Sequence, residues 1–122
     1  MTRINVGINP KDLSQAMLIA EHRELKRIPN LVRKGKFRME GQPKVFTLGT
    51  GHVKFFYDKL GYLKVRYESL YAECLRRGFA VTWFGNAWDG VDSKFMGDYK
   101  PTQAAIRLVK ARIKERLQRI SD

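Results

Sequence analysis

The sequence predicts an all-α fold, a compact single domain of three main helices with long irregular connections. Three segments repeat their apolar residues at spacings of three and four, the period of an amphipathic helix. The stretches between them are rich in glycine and aromatic residues and show no sustained alternation. With 122 residues and 43% hydrophobic side chains, the chain is large enough for one core, so we expect one domain over residues 1–122.

The first helix is predicted over residues 11–27. Asn9 is a suitable N-cap, and Pro10 suits the first helical position. We expect this helix to weaken near Pro29, because a residue that precedes proline is pushed out of α space. Its apolar face consists of Leu13, Met17, Ala20 and Ile28.

The second helix has the clearest apolar stripe, and we expect it to run from about Val53 to Arg77. Residues 49–51 form a glycine-containing entry, and Gly78 is suited to the left-handed conformation that ends helices. Its stripe consists of Val53, Phe56, Tyr57, Leu60, Leu63, Tyr67, Leu70, Tyr71 and Cys74.

The third helix is predicted from Pro101 or Thr102 to about Arg119. Its apolar stripe consists of Ile106, Val109, Ile113, Leu117 and Ile120. Residues 79–100, which precede it, are irregular and aromatic. Residues 79–81 resemble a short strand but have no partner, so the fold prediction stays all-α.

The charge distribution points to a polyanionic partner. The chain has 24 basic and 12 acidic residues, a net charge of +12. The excess lies at both ends, with +5 in residues 1–40 and +5 in residues 100–122. If the two ends meet in space, they form one strongly positive face, for which nucleic acid is the expected partner.

Some charged residues break the helical patterns. Glu24 lies within the apolar arc of the first helix, where a carboxylate is expected only if it is paired or functional. Arg23 and Arg27 are close enough to pair with it, so a structural ion pair stays open. Arg112 and Arg116 flank the seam of the third helix and are suited to gripping a phosphate, although a solvated helix flank explains them equally well.

The chain begins with Met1 followed by Thr2, a residue small enough to allow removal of Met1. The α-amine of Thr2 would then have a pKa of about 7.7–8.0, against about 10.4 for lysine, and would be a better neutral nucleophile. Most N-terminal threonines are only good excision sites, and that interpretation stays open.

Several classes of protein are disfavoured. Cys74 is the single cysteine, so we expect an intracellular protein without disulfides, and no apolar run approaches the length of a membrane span. His22 and His52 are the only histidines and, with one cysteine, do not make a convincing zinc set. We therefore expect no metal and no cofactor.

Five blocks of sequence, in order along the chain, resemble the pyrimidine-dimer DNA glycosylases, the endonuclease V type of ultraviolet-repair enzyme found in phages, algal viruses and some bacteria. The most specific block is Leu48 to Leu60, Leu-Gly-Thr-Gly-His-Val-Lys-Phe-Phe-Tyr-Asp-Lys-Leu. The other blocks are 1–5, 20–25, 72–79 and 97–99.

The resemblance implies a three-helix enzyme that removes cyclobutane pyrimidine dimers by N-glycosylase action and then cleaves the abasic site by β-elimination through an imine. It matches Thr2, through its α-amine, to the nucleophile and Glu24 to the catalytic carboxylate. Relatives place DNA contacts at the positions of Arg3, Arg23, Arg27, Arg112 and Arg116. It also implies base flipping opposite the dimer, a monomer acting on double-stranded DNA, and a cytoplasmic, DNA-associated location in a bacterial or phage-infected cell. The alternative is a non-catalytic basic DNA-binding protein on the same scaffold.

The chain departs from its relatives at two places that bear on the lesion. His22 replaces an aromatic residue, usually tyrosine, and the phage members end in an aromatic tail that this sequence does not contain. Residues 82–98 carry an unassigned aromatic cluster that either caps the core or partly substitutes for that tail. On the second interpretation, Trp88 contacts the lesion.

Overall fold

Five α-helices form the framework of the protein in a computed structural model, which describes the backbone of residues 2–121 and the side chains of residues 2–118. Short 3-10 turns lie at Pro10–Asp12, Gly85–Trp88 and Ser93–Phe95. The helices are α1 (Gln15–Glu24), α2 (Arg27–Arg33), α3 (His52–Phe55), α4 (Leu60–Arg76) and α5 (Gln103–Ser121).

The all-α prediction is confirmed. Within residues 2–121 there is no β-strand, and the only bridge is an isolated antiparallel pair between Lys59 and Met96. Residues 79–81 are irregular. The three longest helices, α1, α4 and α5, correspond to the three predicted ones, and the long connections between them carry most of the glycines.

The first predicted helix is interrupted in the structure. Asn9 and Pro10 begin only a 3-10 turn, while α1 begins later, at a cap where the hydroxyl of Ser14 accepts from the N–H of Met17 at 3.2 Å. The weakening predicted near Pro29 occurs earlier, since α1 ends at Glu24, and Pro29 lies in the first turn of a separate helix, α2. Proline is tolerated there, since the first N–H groups of a helix have no partner within the helix.

The second predicted helix is also divided. The chain leaves helical geometry at Lys59, which separates the single turn of α3 from α4. The predicted end is confirmed, since Gly78 adopts a left-handed φ of 81°. Much of the predicted stripe is fully buried in the core, namely Phe56, Leu60, Leu63, Tyr67, Leu70 and Cys74.

Helix α5 packs over its first half. The hydroxyl of Thr102 caps it by accepting from the N–H of Ala105, and Val109 is fully buried. Leu117, predicted to belong to the apolar stripe, is 45% exposed, and the side chain of Ile120 lies outside the described residues. The stripe therefore meets the core over the first part of the helix, as far as Ile113.

The two basic ends of the chain meet, as the charge distribution suggested. A Cβ at Gly7 would lie 2.4 Å from Cγ1 of Ile106, so only glycine allows the N-terminal segment to run this close to α5. The side chain of Arg112, further along α5, donates a hydrogen bond to that of Asn5. The N-terminal segment itself is anchored by Ile4 and Val6, which are fully buried.

Both histidines are buried in the interior as neutral rings. Burial, followed by the nearby charge of Lys26, lowers the pKa of His22. The hydroxyl of Tyr67 accepts from the N–H of Phe84 and forms a second hydrogen bond with Nε2 of His22 at 3.0 Å. Burial also lowers the pKa of His52, and its neutral ring accepts the N–H of Ile4.

These histidines should make the protein less stable below neutral pH. Their pKa values are lower in the folded state than in the unfolded state, where they lie near 6.5, so the unfolded protein binds more protons as the pH falls. Between pH 7.5 and pH 5.5 each histidine lowers the free energy of unfolding by at most about 1.4 kcal/mol. Urea denaturation at the two pH values measures the loss.

His22→Phe provides the control for this prediction. The variant should be less stable at both pH values, because Tyr67 loses its hydrogen-bond partner, but it should show a smaller difference between them. Hydrogen bonds from Arg76, which has the larger effect, and from Arg77 lower the pKa of Glu73 to about 2. This carboxylate therefore does not titrate between pH 5.5 and pH 7.5. An equal difference in wild type and variant would contradict the role of His22.

Candidate active site

A cavity of about 300 Å³ opens between the N-terminal segment, α1 and α5. Five of the site residues predicted from the sequence line it together: Arg3, Arg23, Glu24, Arg112 and Arg116. Residues as far apart in the sequence as Arg3 and Arg116 therefore line the same cavity. The remaining lining residues are Asn5, Met17, Ala20, Glu21 and Ile113.

The arginines give the cavity an excess of positive charge. Four arginines face two carboxylates, those of Glu21 and Glu24. The buried side chain of Arg66, which lies behind the wall, neutralises Glu21. Burial is the largest effect that lowers the pKa of Arg112. The charges of Arg3 and Arg116 lower this pKa further. Clustered guanidinium groups repel one another in this way unless an anion lies between them. The wall is therefore suited to binding phosphate groups.

Glu24 is held at the edge of this cationic wall. Its side chain is 14% exposed, and its carboxylate lies 3.9 Å from Nη2 of Arg23, which is a charge contact beyond hydrogen-bond distance. The pairing with Arg23 expected from the helical wheel is thus a loose one. A carboxylate in this position is able to stabilise a neighbouring cation or to exchange a proton with a bound molecule.

Three further polar residues, none of them singled out from the sequence, form a network at the floor of the cavity, where Asn5 and Glu21 line the surface and Arg66 lies behind them. Glu21 is 2% exposed and accepts hydrogen bonds from Arg66, at 2.6 Å to Nε and 3.1 Å to Nη2. The side-chain amide of Asn5 donates to Glu21 at 2.8 Å, and its oxygen accepts from Arg112 at 3.1 Å. A hydrogen-bonded chain therefore runs from α4 through α1 and the N-terminal segment to α5.

A signal for this floor was present in the sequence. Glu21 precedes Glu24 by three residues and so lies on a neighbouring part of α1. Arg66 falls between Leu63 and Tyr67 beside the apolar stripe of α4, where an unpaired cation would be costly. Two opposite charges on buried helix faces predict an ion pair, but periodicity alone does not say which helices meet.

Two predicted site residues are not part of the cavity lining. Thr2 is partly buried and directly precedes Arg3, which lines the wall. Arg27 is exposed at the beginning of α2, one turn beyond Arg23. Met1, whose removal bears on the role of Thr2, lies outside the described residues.

The expectation that Trp88 contacts the lesion is wrong for this structure. Trp88 is 4% exposed, and its indole N–H donates to the carbonyl of Leu60 at 2.9 Å. The 3-10 turn Gly85–Trp88 directs the ring inward, and an element of four residues leaves no periodicity by which the sequence could reveal this. Trp83 is the exposed indole of this segment, packed edge-on against Tyr71.

Residues 2–121, which the structure describes, contain neither a metal-binding cluster nor a membrane-spanning helix. No three side chains of the His, Cys, Asp and Glu types in that range come together in a group able to hold a metal ion. Within the same range, every helix is too short or too polar to cross a bilayer.

An all-α fold with an arginine-lined cavity and a carboxylate at its edge defines a protein suited to nucleic-acid chemistry. Comparison with known protein families matches residues 1–83 to the family described as pyrimidine dimer DNA glycosylase. The chain belongs to this family, its function is of the pyrimidine dimer DNA glycosylase type, and DNA is its substrate. Arg112 and Arg116 lie beyond the matched residues, so their connection to the site comes from the cavity itself.

The burial of Trp88 yields a test by substitution. Trp88→Ala should lower the free energy of unfolding by about 3–5 kcal/mol, because it leaves a large cavity in the core and removes the hydrogen bond from the indole to the carbonyl of Leu60. Trp83→Ala, at an exposed position in the same segment, is the matched control and should cost much less. Chemical denaturation of both variants measures the difference, and a mild effect at Trp88 would argue against its place in the core.

Proposed function

We propose that this protein excises cyclobutane pyrimidine dimers from double-stranded DNA and then cleaves the resulting abasic site as a lyase, through an imine on the α-amine of Thr2. The observation that carries the proposal is the juxtaposition of Glu24 with Arg3, Arg23 and Arg112 around one cavity, beside the segment that begins at Thr2. The membership of the chain in a DNA glycosylase family supports the same assignment.

The arginines act on the DNA backbone. To reach C1′ of a nucleotide within a duplex, an enzyme must bend the DNA and extrude a base, which costs a few kcal/mol. Arg3, Arg23, Arg112 and Arg116 bind the phosphates of the distorted strand, and exposed Arg27 extends this surface along α2. A cavity of about 300 Å³ is at the lower end of the range for ligand pockets, which is compatible with a single extruded base.

The α-amine of Thr2, freed by removal of Met1, is the nucleophile. Its neutral form attacks C1′, and the glycosidic bond breaks as the new C–N bond forms, with the electron pair leaving on the base. The amine then loses a proton while the C1′–O4′ bond opens and O4′ is protonated, which gives an iminium ion. Loss of a proton from C2′ moves electrons into the iminium and expels the 3′ phosphate. Hydrolysis of the imine restores the enzyme.

Glu24 stabilises the positive charge that develops on the sugar and transfers protons during ring opening. Its side chain is largely screened from solvent, so its charge acts more strongly on a bound sugar than an exposed carboxylate would. Glu21 is unsuited to the same role, because Arg66 and Asn5 already occupy both of its oxygens.

Glu24→Gln tests this assignment directly. The variant should bind dimer-containing duplex within about tenfold of wild type but lose glycosylase activity by roughly two orders of magnitude or more, because the amide carries no charge. Glu68→Gln, an exposed position on α4, is the matched control and should keep full activity. Single-turnover cleavage of ultraviolet-irradiated duplex measures the effect, and near wild-type cleavage by Glu24→Gln would contradict it.

Borohydride trapping separates this enzyme from the alternative, a non-catalytic DNA-binding protein. Borohydride reduces an imine to a stable amine, so an enzyme that acts through Thr2 becomes covalently attached to irradiated duplex, whereas a binding protein does not. Intact-mass measurement of the N-terminus establishes in the same sample whether Thr2 carries the free amine.

Arg112→Ala and Arg116→Ala test the phosphate contacts. Each variant should weaken binding to irradiated and undamaged duplex alike, and should reduce the slope of log K against log salt by about 0.9, the value for one lost phosphate contact. Lys64→Ala, which removes an exposed cation from α4, is the control and should leave the slope unchanged. An unchanged slope in both arginine variants would indicate that this flank of α5 is an ordinary solvated surface without phosphate contacts.

A further inference from the structure

The backbone of the N-terminal segment is tied to a buried histidine that the proposed chemistry does not use. The N–H of Ile4 donates to Nε2 of His52 at 3.0 Å, and Nδ1 of His52 lies 2.8 Å from the carbonyl oxygen of Thr47. His52 is 4% exposed. Ile4 is two residues from Thr2, so this hydrogen bond is the fixed point of the segment nearest to the proposed nucleophile.

The partners of the ring determine its tautomer. The carbonyl of Thr47 is only an acceptor, so Nδ1 of His52 carries the proton and Nε2 presents its lone pair to the N–H of Ile4. Two aromatic rings, Phe46 and Phe56, pack edge-on at centroid distances of 5.4 and 5.5 Å and hold the imidazole in this orientation.

The local backbone also fixes where the ring lies. His52 is the first residue of α3 and follows Gly51, whose φ of 88° places the chain in the left-handed region. A Cβ at Gly51 would come within 2.9 Å of Pro43, so another residue type would displace the turn that presents His52 to Ile4.

The charges around His52 keep its ring neutral. Burial is the largest effect that lowers its pKa, and the nearby cations Arg112 and Arg3 lower it further, while the Thr47 carbonyl and Glu21 oppose them. The same guanidinium groups that line the cavity therefore preserve the lone pair that accepts from Ile4.

We propose that His52 is a positioning residue, which fixes the backbone at Ile4 and thereby directs the α-amine of Thr2 into the cavity that contains Glu24. This role rests on the proposed function. Two residues of chain span at most about 7 Å, so the amine is confined to a small volume around Ile4. Misplacing a reacting group by about 1 Å costs as much as a hundredfold in rate. A small movement of the backbone at Ile4 therefore displaces the Thr2 amine enough to slow the reaction.

A pair of substitutions separates the two hydrogen bonds of the ring. In His52→Gln the side-chain oxygen reaches the position of Nε2 and accepts from Ile4, but the bond to Thr47 is lost. In His52→Asn the amide donates to Thr47, but nothing accepts from Ile4. Both variants lose the ring and its aromatic contacts, so they share most of the structural cost, and they differ at the N-terminal segment.

The experiment is single-turnover borohydride trapping on a duplex with one abasic site, a substrate that bypasses removal of the base. The trapping rate should fall by roughly ten- to a hundredfold in His52→Asn and stay within about threefold of wild type in His52→Gln, while both variants bind the duplex as wild type does. Hydrogen exchange at the Ile4 amide, measured by NMR, should be fast in His52→Asn and slow in His52→Gln.

Equal trapping by the two variants, in samples that are equally folded, would overturn the positioning role. Failure of the wild-type protein to trap would instead overturn the proposed function, and with it this role. If either variant fails to fold, an ester in place of the Arg3–Ile4 peptide bond removes only the N–H donor. That protein should show the same ten- to hundredfold loss, and an unchanged trapping rate would refute the proposal.

Discussion

The buried ion pair between Glu21 and Arg66 is the interaction on which the arrangement of the site depends. Removing both charges from water costs several kcal/mol for each ion, and their attraction offsets this cost only if the geometry is good and the remaining polar atoms are paired. Here both carboxylate oxygens accept hydrogen bonds, and Nη1 of Arg66 donates to the carbonyl of Ile8 at 2.6 Å. The pair thus joins α1, α4 and the N-terminal segment, and any slip between them would leave a buried charge unpaired.

This constraint also sets the direction of the second carboxylate. Glu24 follows Glu21 by three residues, about 60° away around α1. With Glu21 held against α4, Glu24 is turned toward the opening between the N-terminal segment and α5. Asn5 extends the same network to Arg112, so the floor orients one arginine of the wall as well as the carboxylate beside it. Two glutamates on one helix thus serve different purposes, one structural and one exposed to the cavity.

Periodicity predicted the class of the fold and its three long helices, because each of those helices buries an extended apolar stripe. It did not predict the interruptions at Lys59 and before Arg27. These interruptions depend on local backbone geometry, and the same apolar pattern is compatible with a continuous or an interrupted helix. The five predicted site residues that line the cavity were found by charge anomalies and by resemblance to a family. Asn5 and Arg66 were missed because their importance comes from a contact between distant segments. The position of Trp88 stayed open in the sequence because a single 3-10 turn decides whether its ring faces the core or the solvent.

The arginine cluster explains why the two ends of the chain are basic while the middle is nearly balanced. Arg3 and Arg23 come from the first 40 residues and Arg112 and Arg116 from the last 23, and Gly7 lets the two parts approach closely. Burial is the main cause that lowers the pKa of Arg112, and repulsion from Arg3 and Arg116 lowers it further in the free protein. An anion bound between these cations relieves their repulsion, and under the proposed function a DNA phosphate is that anion. The family match ends at residue 83, but the cavity needs α5 to complete its cationic wall, which makes the last helix part of the site rather than an appendage to the fold.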